Sequence, residues 1–191
     1  MKRLAAVLAA VLSVAGLAAC TDDSASAAGR CGFSFTSANK PGRVISAGER
    51  KVCDFTADLI DGGAYALKQQ AGKVVVASFW ASWCGPCKAE MPQFQLMYAS
   101  PENQKQGVTF VGMDTKDDKG PARAFLKRNK ITFPVVFDAG AKVALRLGNL
   151  PAQALPFTVV FDKQSRIAAV YTGAQSPKDL QPALNKLAGE A

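Results

Sequence analysis

KVVVASFW at residues 73–80, followed within three residues by WCGPC at 83–87, decides how this chain folds. The first stretch is an unbroken apolar, β-branched run, the pattern of a parallel strand buried on both faces. The second opens a helix over 85–99, in which Pro92 is expected to introduce a kink. Two cysteines three apart at a helix start can close a small disulfide ring. The first of them faces unpaired backbone N–H groups and the positive end of the helix dipole, and both favour a thiolate. Cys84 is therefore expected to be the exposed nucleophile of disulfide exchange, and Cys87, one turn inside, the resolving residue. Pro86 suits this first turn, where its missing N–H has no helical partner to lose. The competing readings of the pair are half a zinc site and a purely structural local disulfide. Zinc needs four ligands, and the chain has no histidine and no second C-x-x-C.

Downstream, residues 107–114 (GVTFVGMD) read as a second buried strand, and 120–130 as a helix with Phe125 and Leu126 on its apolar face. Strand, helix, strand, helix implies a parallel crossover unit. Residues 133–137 are expected as a short strand and 141–147 as a short helix closed by Gly148. Beyond Pro156, the runs at 157–162 and 166–171 flank Lys163-Gln164-Ser165 and form an antiparallel hairpin. Ser176-Pro177-Lys178-Asp179 then announces a last helix, to about residue 188, with a serine cap, proline in the first turn and an acid three on from the cap. The fold class is α/β, a central mixed β-sheet flanked by helices.

Upstream, Lys2 and Arg3 precede an apolar stretch at 4–17 and the small-residue site Leu17-Ala18-Ala19-Cys20. This is signal-peptide architecture, so residues 1–19 are expected to be removed. The apolar run is too short and alanine-rich for a membrane span, and the polar residues 21–29 stop it. Residues 20–30 read as a flexible tether, 31–53 as an N-terminal extension packed on the domain, and 54–191 as the domain itself. In the extension Phe33 and Phe35 alternate as in a short strand and Lys40-Pro41-Gly42 forms a turn. The net charge is +8, or +6 without the two positive charges of Lys2 and Arg3. Lys and Arg are scattered and the aromatics lie inside apolar runs, which excludes nucleic-acid binding and suits an anionic membrane surface. The absence of histidine removes Ser-His and Cys-His catalysis, leaving thiols and carboxylates to do the chemistry.

WCGPC after a buried strand, an X-Pro before a hairpin, and a closing helix together resemble the thioredoxin superfamily over roughly 54–188. Within that span CGPCKAEMP at 84–92 is similar to the TlpA/ResA-type group of membrane-tethered oxidoreductases, and the long stretch before Pro156 matches that group's insertion. The resemblance implies a thioredoxin fold with Pro156 at the cis-proline position and the Leu155 backbone presented for pairing with substrate. Trp83, Gly85 and Pro86 would form the contact surface around the nucleophile, whereas Phe79 and Trp80 read as packing and Lys88 as solvent-facing. Phe157 departs from the small polar residue often found next in the family. Glu90, three residues after Cys87 on the same helical face, is the candidate for proton exchange with the resolving thiol. A solvated glutamate that merely favours the helix dipole is the alternative. Thioredoxins proper carry a buried acid six residues before the first cysteine, where this chain has Ser78.

The Leu-Ala-Ala-Cys ending resembles the bacterial lipobox, which implies a lipid anchor on Cys20 and a domain held at the extracytoplasmic face of the cytoplasmic membrane. An ordinary secretory signal is the other reading. Cys31 and Cys53 are then left over; in an oxidising exterior they are expected to pair as a structural disulfide contributing about 3 kcal/mol. Two unpaired thiols, or a second redox pair, stay open. The resemblance further implies a protein-disulfide reductase without a dissociable cofactor. Its substrates would be disulfide-bearing exported proteins, apocytochrome c among them, and its electron donor a membrane transporter of the CcdA/DsbD type. Gly-Pro between the cysteines resembles the reducing members. A disulfide oxidase or isomerase, and a non-enzymatic binding lipoprotein on the same scaffold, are the rival readings.

Overall fold

The structure, a computed structural model, describes residues 31–35, 41–150 and 154–190. The leader, Cys20 and the tether lie outside the described residues. In chain order the main elements are β1 (Phe33–Ser34), β2 (Thr56–Asp58), β3 (Ala64–Ala66), β4 (Val74–Trp80), α1 (Gly85–Ala99), α2 (Pro101–Lys105), β5 (Val108–Thr115) and α3 (Lys119–Arg128). They continue with β6 (Val135–Asp138), α4 (Lys142–Leu147), β7 (Gly148–Asn149), β8 (Phe157–Phe161), β9 (Ile167–Thr172) and α5 (Pro177–Ala188). Five strands make the central sheet in the order β6-β5-β4-β8-β9. β5 lies parallel to β4 and β6 to β5, while β8 is antiparallel to both β4 and β9, so the sheet is mixed. This is the thioredoxin-like α/β fold.

β4 is central and buried at all seven positions, which explains why its sequence does not alternate. Trp80 and Phe79 point to opposite faces and belong to different cores. On the Trp80 face, α1, α3 and α5 supply Met91, Phe94, Phe125, Leu180, Leu184 and Leu187. The α5 residues recur at helical spacing, and the Asp179 carboxylate accepts the Ser176 N–H at 2.8 Å, closing the expected cap. On the Phe79 face, α4 and the N-terminal extension pack with Phe33, Phe55, Val143 and Leu147, and the Phe157 ring stacks on Phe79 with centroids 4.2 Å apart. Phe157 thus packs in the core. α1 runs through Pro92 as one helix.

Gly112 lies on β5 beneath the Trp80 indole. A Cβ there would stand 3.0 Å from Trp80 Nε1 and 3.1 Å from Val135 Cγ2. Gly112→Ala is expected to cost about 1–2 kcal/mol through overpacking, read as a lower urea midpoint at unchanged m-value.

The extension covers the exposed edge of the sheet. Gly42 and Ile45 donate backbone N–H groups to Val170 and Ala168 of β9 at 2.9 and 2.8 Å, and Cys53 N–H reaches Ser165 O at 2.8 Å. β1 pairs with β7, where Gly148 has φ +119° and a Cβ would sit 2.2 Å from Phe33 O; only glycine allows that approach. Cys31 and Cys53 are joined by a disulfide. Arg50, side chain 1% exposed, spans three segments: its Nε donates to Ile45 O at 2.9 Å, Nη1 to Asp162 at 3.0 Å and to Glu190, and Nη2 to Glu190 at 2.9 Å.

Candidate active site

Ala81-Ser82-Trp83 carry the chain past the carboxyl end of β4, the edge at which open α/β sheets place their sites, to Cys84, the N-cap of α1. Cys84 is bonded to Cys87, and its Sγ accepts the Cys87 N–H at 3.2 Å. That is the one hydrogen bond at the sulfur among the described residues. Cys87 is wholly buried. Cys84 was expected to be exposed and is only 4% exposed. The reason is local: the disulfide and the N–H bond draw its sulfur in under the first helical turn. Access comes instead from Gly85 and Pro86, both exposed, with open space where a residue-85 side chain would stand. Lys88 is exposed, as expected.

Glu90, one turn further along α1, is 2% exposed. Its carboxylate accepts the Ser78 hydroxyl at 3.0 Å and the Gln175 N–H at 2.8 Å. Burial pushes its pKa up to about 7 against the pull of these two hydrogen bonds. The solvated-glutamate reading is therefore excluded. Ser78, at the position where thioredoxins proper carry their acid, is the seat for an acid delivered from the helix.

Trp83 is 59% exposed, and its Nε1 donates to Lys116 O at 2.9 Å. It borders an open groove of about 670 Å³ lined by Lys116, Leu145, Leu150, Leu155 and Phe157. The Leu155–Pro156 bond is cis, and Pro156 O accepts the Gly173 N–H at 2.9 Å. Leu155 itself makes no backbone hydrogen bond among the described residues. The structure thus gathers Trp83, Cys84, Gly85, Pro86, Cys87, Glu90, Leu155 and Pro156 around one sheet edge, and sets the Cys31–Cys53 bridge apart as an attachment of the extension.

Sequence reasoning missed three residues beside them. Ser82 donates its N–H to Asp117 and its hydroxyl at 3.0 Å to the same carboxylate, and Asp114, wholly buried at the end of β5, adjoins Asp117. Their one signal was an acid closing an apolar strand in GVTFVGMD. Among the described residues no cluster of His, Cys, Asp or Glu could hold a metal ion, and no helix is long and apolar enough to cross a membrane.

Residues 47–187 match the family model for Redoxin. Among curated relatives, the thiol-disulfide oxidoreductase ResA of Geobacillus thermodenitrificans is 32% identical over 134 residues, covering 70% of this chain and 74% of the relative. Among solved structures, a secreted thiol-disulfide isomerase from Corynebacterium glutamicum superposes with a TM-score of 0.76 at 27% identity, over 83% of this chain and 98% of that one. A DsbF homologue from Corynebacterium diphtheriae gives 0.73 at 32% identity, over 81% and 99%.

Proposed function

We propose, from the premise that the chain belongs to the Redoxin family and is a protein thiol-disulfide oxidoreductase of the TlpA/ResA-like thioredoxin superfamily, that it acts outside the cytoplasm as a reductant of protein disulfides. The observation that carries the direction is the setting of the Cys84 sulfur. Among the described residues it has one N–H donor, that of Cys87, where an oxidant needs cations or several donors. A strong oxidant owes its potential to a strongly stabilised reduced form, and a single N–H donor at the helix start gives the thiolate a smaller share of that stabilisation.

In the forward step the Cys84 thiolate attacks a substrate disulfide sulfur. An S–S bond forms between Cys84 and the substrate, and the substrate's other sulfur leaves as a thiolate that takes up a proton. Cys87 then attacks Cys84 Sγ, closing the Cys84–Cys87 bond and releasing the second substrate thiol. Glu90 takes the Cys87 proton in this second step, a task suited to a carboxyl titrating near 7. Pairing of an extended substrate segment with the free Leu155 backbone, and packing of its apolar side chains against Trp83, would orient the attack.

The signal-like leader supports export, and a Cys20 anchor would keep the domain at the outer face of the cytoplasmic membrane. A membrane thiol-disulfide transporter of the CcdA/DsbD type would re-reduce the pair. Reduction of apocytochrome c is the substrate role that the resemblance to the TlpA/ResA-type group implies. The isomerase relative favours a second reading, disulfide shuffling during folding. The equilibrium potential of the Cys84–Cys87 couple separates them: a value near about −270 mV supports the reductant, and one near about −120 mV overturns it.

Glu90→Gln is expected to lower kcat/KM by about a hundredfold and to remove the inflection near pH 7 from its pH profile. The same shift has a stability signature. With its folded pKa above the ordinary carboxylate value, the folded state binds the extra proton, so stability falls as pH rises through about 7. Glu90→Gln is expected to flatten that slope in urea unfolding at several pH values.

A further inference from the structure

Two turns meet on the amino-terminal side of Cys84. One is Ala81-Ser82-Trp83; the other, Lys116-Asp117-Asp118, follows β5. Trp83 gives its indole N–H to Lys116 O, and Ser82 gives both its N–H and its hydroxyl to the Asp117 carboxylate. Asp117 also accepts the Asp118 N–H at 2.8 Å. Lys116 takes a left-handed φ of +56°, a conformation unfavourable to lysine that the contacts on either side of it hold in place.

Behind Asp117 stands Asp114, in register with Trp80 across the β4–β5 ladder and 0% exposed. No N–H, hydroxyl or cation of the described residues donates to either of its carboxyl oxygens. Two adjoining carboxyl groups, one wholly buried, do not both ionise, and a proton on one turns repulsion into an O–H···O⁻ bond. Asp117 is the anion, because three donors already serve it. Asp114 is then the donor.

We propose that Asp114 and Asp117 form a proton-sharing carboxyl pair that positions the redox loop, the Asp114 O–H fixing Asp117 and Asp117 fixing Ser82 two residues before the nucleophile. The proposal rests on the reading of Cys84 as nucleophile. Burial, with Asp117 next, pushes Asp114 up to about 8, while against its own burial the bonds from Ser82 and Asp118 hold Asp117 below the usual carboxylate range. The other charged groups nearby are Lys116 and Asp118, exposed on the same turn, Lys119, exposed at the start of α3, and Glu90, which is engaged by Ser78 and Gln175; Asp117 is the charge that bears on Asp114. Asp114 and Asp117 are positioning residues, since neither touches the reacting sulfurs.

The test uses the full chain. In the oxidised protein neither active-site thiol titrates, so the Trp83 indole N–H resonance, identified by its loss in Trp83→Phe, reports the two turns alone. It is expected to shift with a midpoint near pH 8. That step is expected to vanish in Asp114→Asn, whose amide still donates to Asp117, and to persist in Glu90→Gln. In the reduced protein Asp117→Ala is expected to lower kcat/KM for insulin reduction about tenfold, as misplacement of a reacting group does, while Asp114→Asn stays within about twofold of wild type. If Asp117→Ala does not fold, Asp117→Asn, which keeps one acceptor oxygen, is expected to show a smaller loss in the same direction. A step near pH 8 that survives Asp114→Asn, or Asp117 variants with wild-type kcat/KM and indole signal, would overturn the pair. Iodoacetamide mapping of the reduced protein separates this from its premise: first labelling at Cys87 would sink the nucleophile assignment, whatever the indole signal shows.

Discussion

Cys84→Ser is expected to abolish protein-disulfide reduction, a loss of at least about a thousandfold, while Cys87→Ser is expected to form a stable mixed disulfide with substrate through Cys84. The asymmetry follows from position. Cys84 is the N-cap residue, next to the exposed Gly85 and Pro86, and its sulfur already accepts the Cys87 N–H that would stabilise a thiolate. Cys87 is 0% exposed and can be reached only after Cys84 has opened toward a partner. Removing the first thiol removes attack altogether; removing the second leaves attack intact and stops release. Gel shift under non-reducing conditions, with insulin turnover beside it, distinguishes the two variants. Capture by Cys84→Ser instead of Cys87→Ser would reverse the assigned roles. A Cys31→Ser/Cys53→Ser double variant is expected to keep its turnover, since that bridge ties the extension and stands apart from the redox helix.

The second large effect concerns stability. Arg50→Leu is expected to cost about 3 kcal/mol or more, at the lower end of what removing one partner of a buried ion pair costs, because Asp162 keeps Arg166 Nε at 2.8 Å. Asp162 is 2% exposed, and without Arg50 it stays buried with one of its two guanidinium partners gone, though the Gln164 and Arg166 N–H groups remain, while Ile45 O loses its donor. Glu190 is better able to turn to water, its side chain being 30% exposed. Arg50→Lys is expected to recover little, because one ammonium cannot serve Ile45 O, Asp162 and both Glu190 oxygens at once. Urea unfolding monitors both variants, and a loss below about 1 kcal/mol for Arg50→Leu would show that the network is replaceable.

Much of the fold was legible because the deciding signals are local. β4 announces itself as an uninterrupted apolar run, and α1 spans the residues expected of it because Cys84, Pro86 and the apolar Met91 and Phe94 fix its start and its face. α5 was equally clear from Ser176, Pro177 and Asp179. Arg50 was invisible for the opposite reason: its partners lie 112 and 140 residues away, and no spacing rule connects them. Asp114 reads in sequence as the polar end of a strand, and only the fold brings it against Asp117 and Ser82. Sequence placed Glu90 on the correct helical face but left its burial open, since that depends on Ser78 and on Gln175 arriving from the loop before α5. The exposure expected of Cys84 failed because helix-end position specifies electrostatics, whereas accessibility depends on which way the bonded sulfur is drawn.

Any pull on the residues before Cys31 enters the domain at a fork. One branch runs through the bridge to Cys53 and from there into the Ser165 turn, at the end of β8 remote from Pro156. The other runs along Phe33–Ser34 into β7, whose residues wall the groove beside Trp83. With the bridge closed, the covalent branch is the stiffer and carries the load to the far edge of the sheet. With it reduced, the first attachments are the Cys31 N–H bond to Arg146 O and the two-residue strand against the groove. The bridge is thus a covalent tie between the start of the described extension and the end of the sheet remote from Pro156.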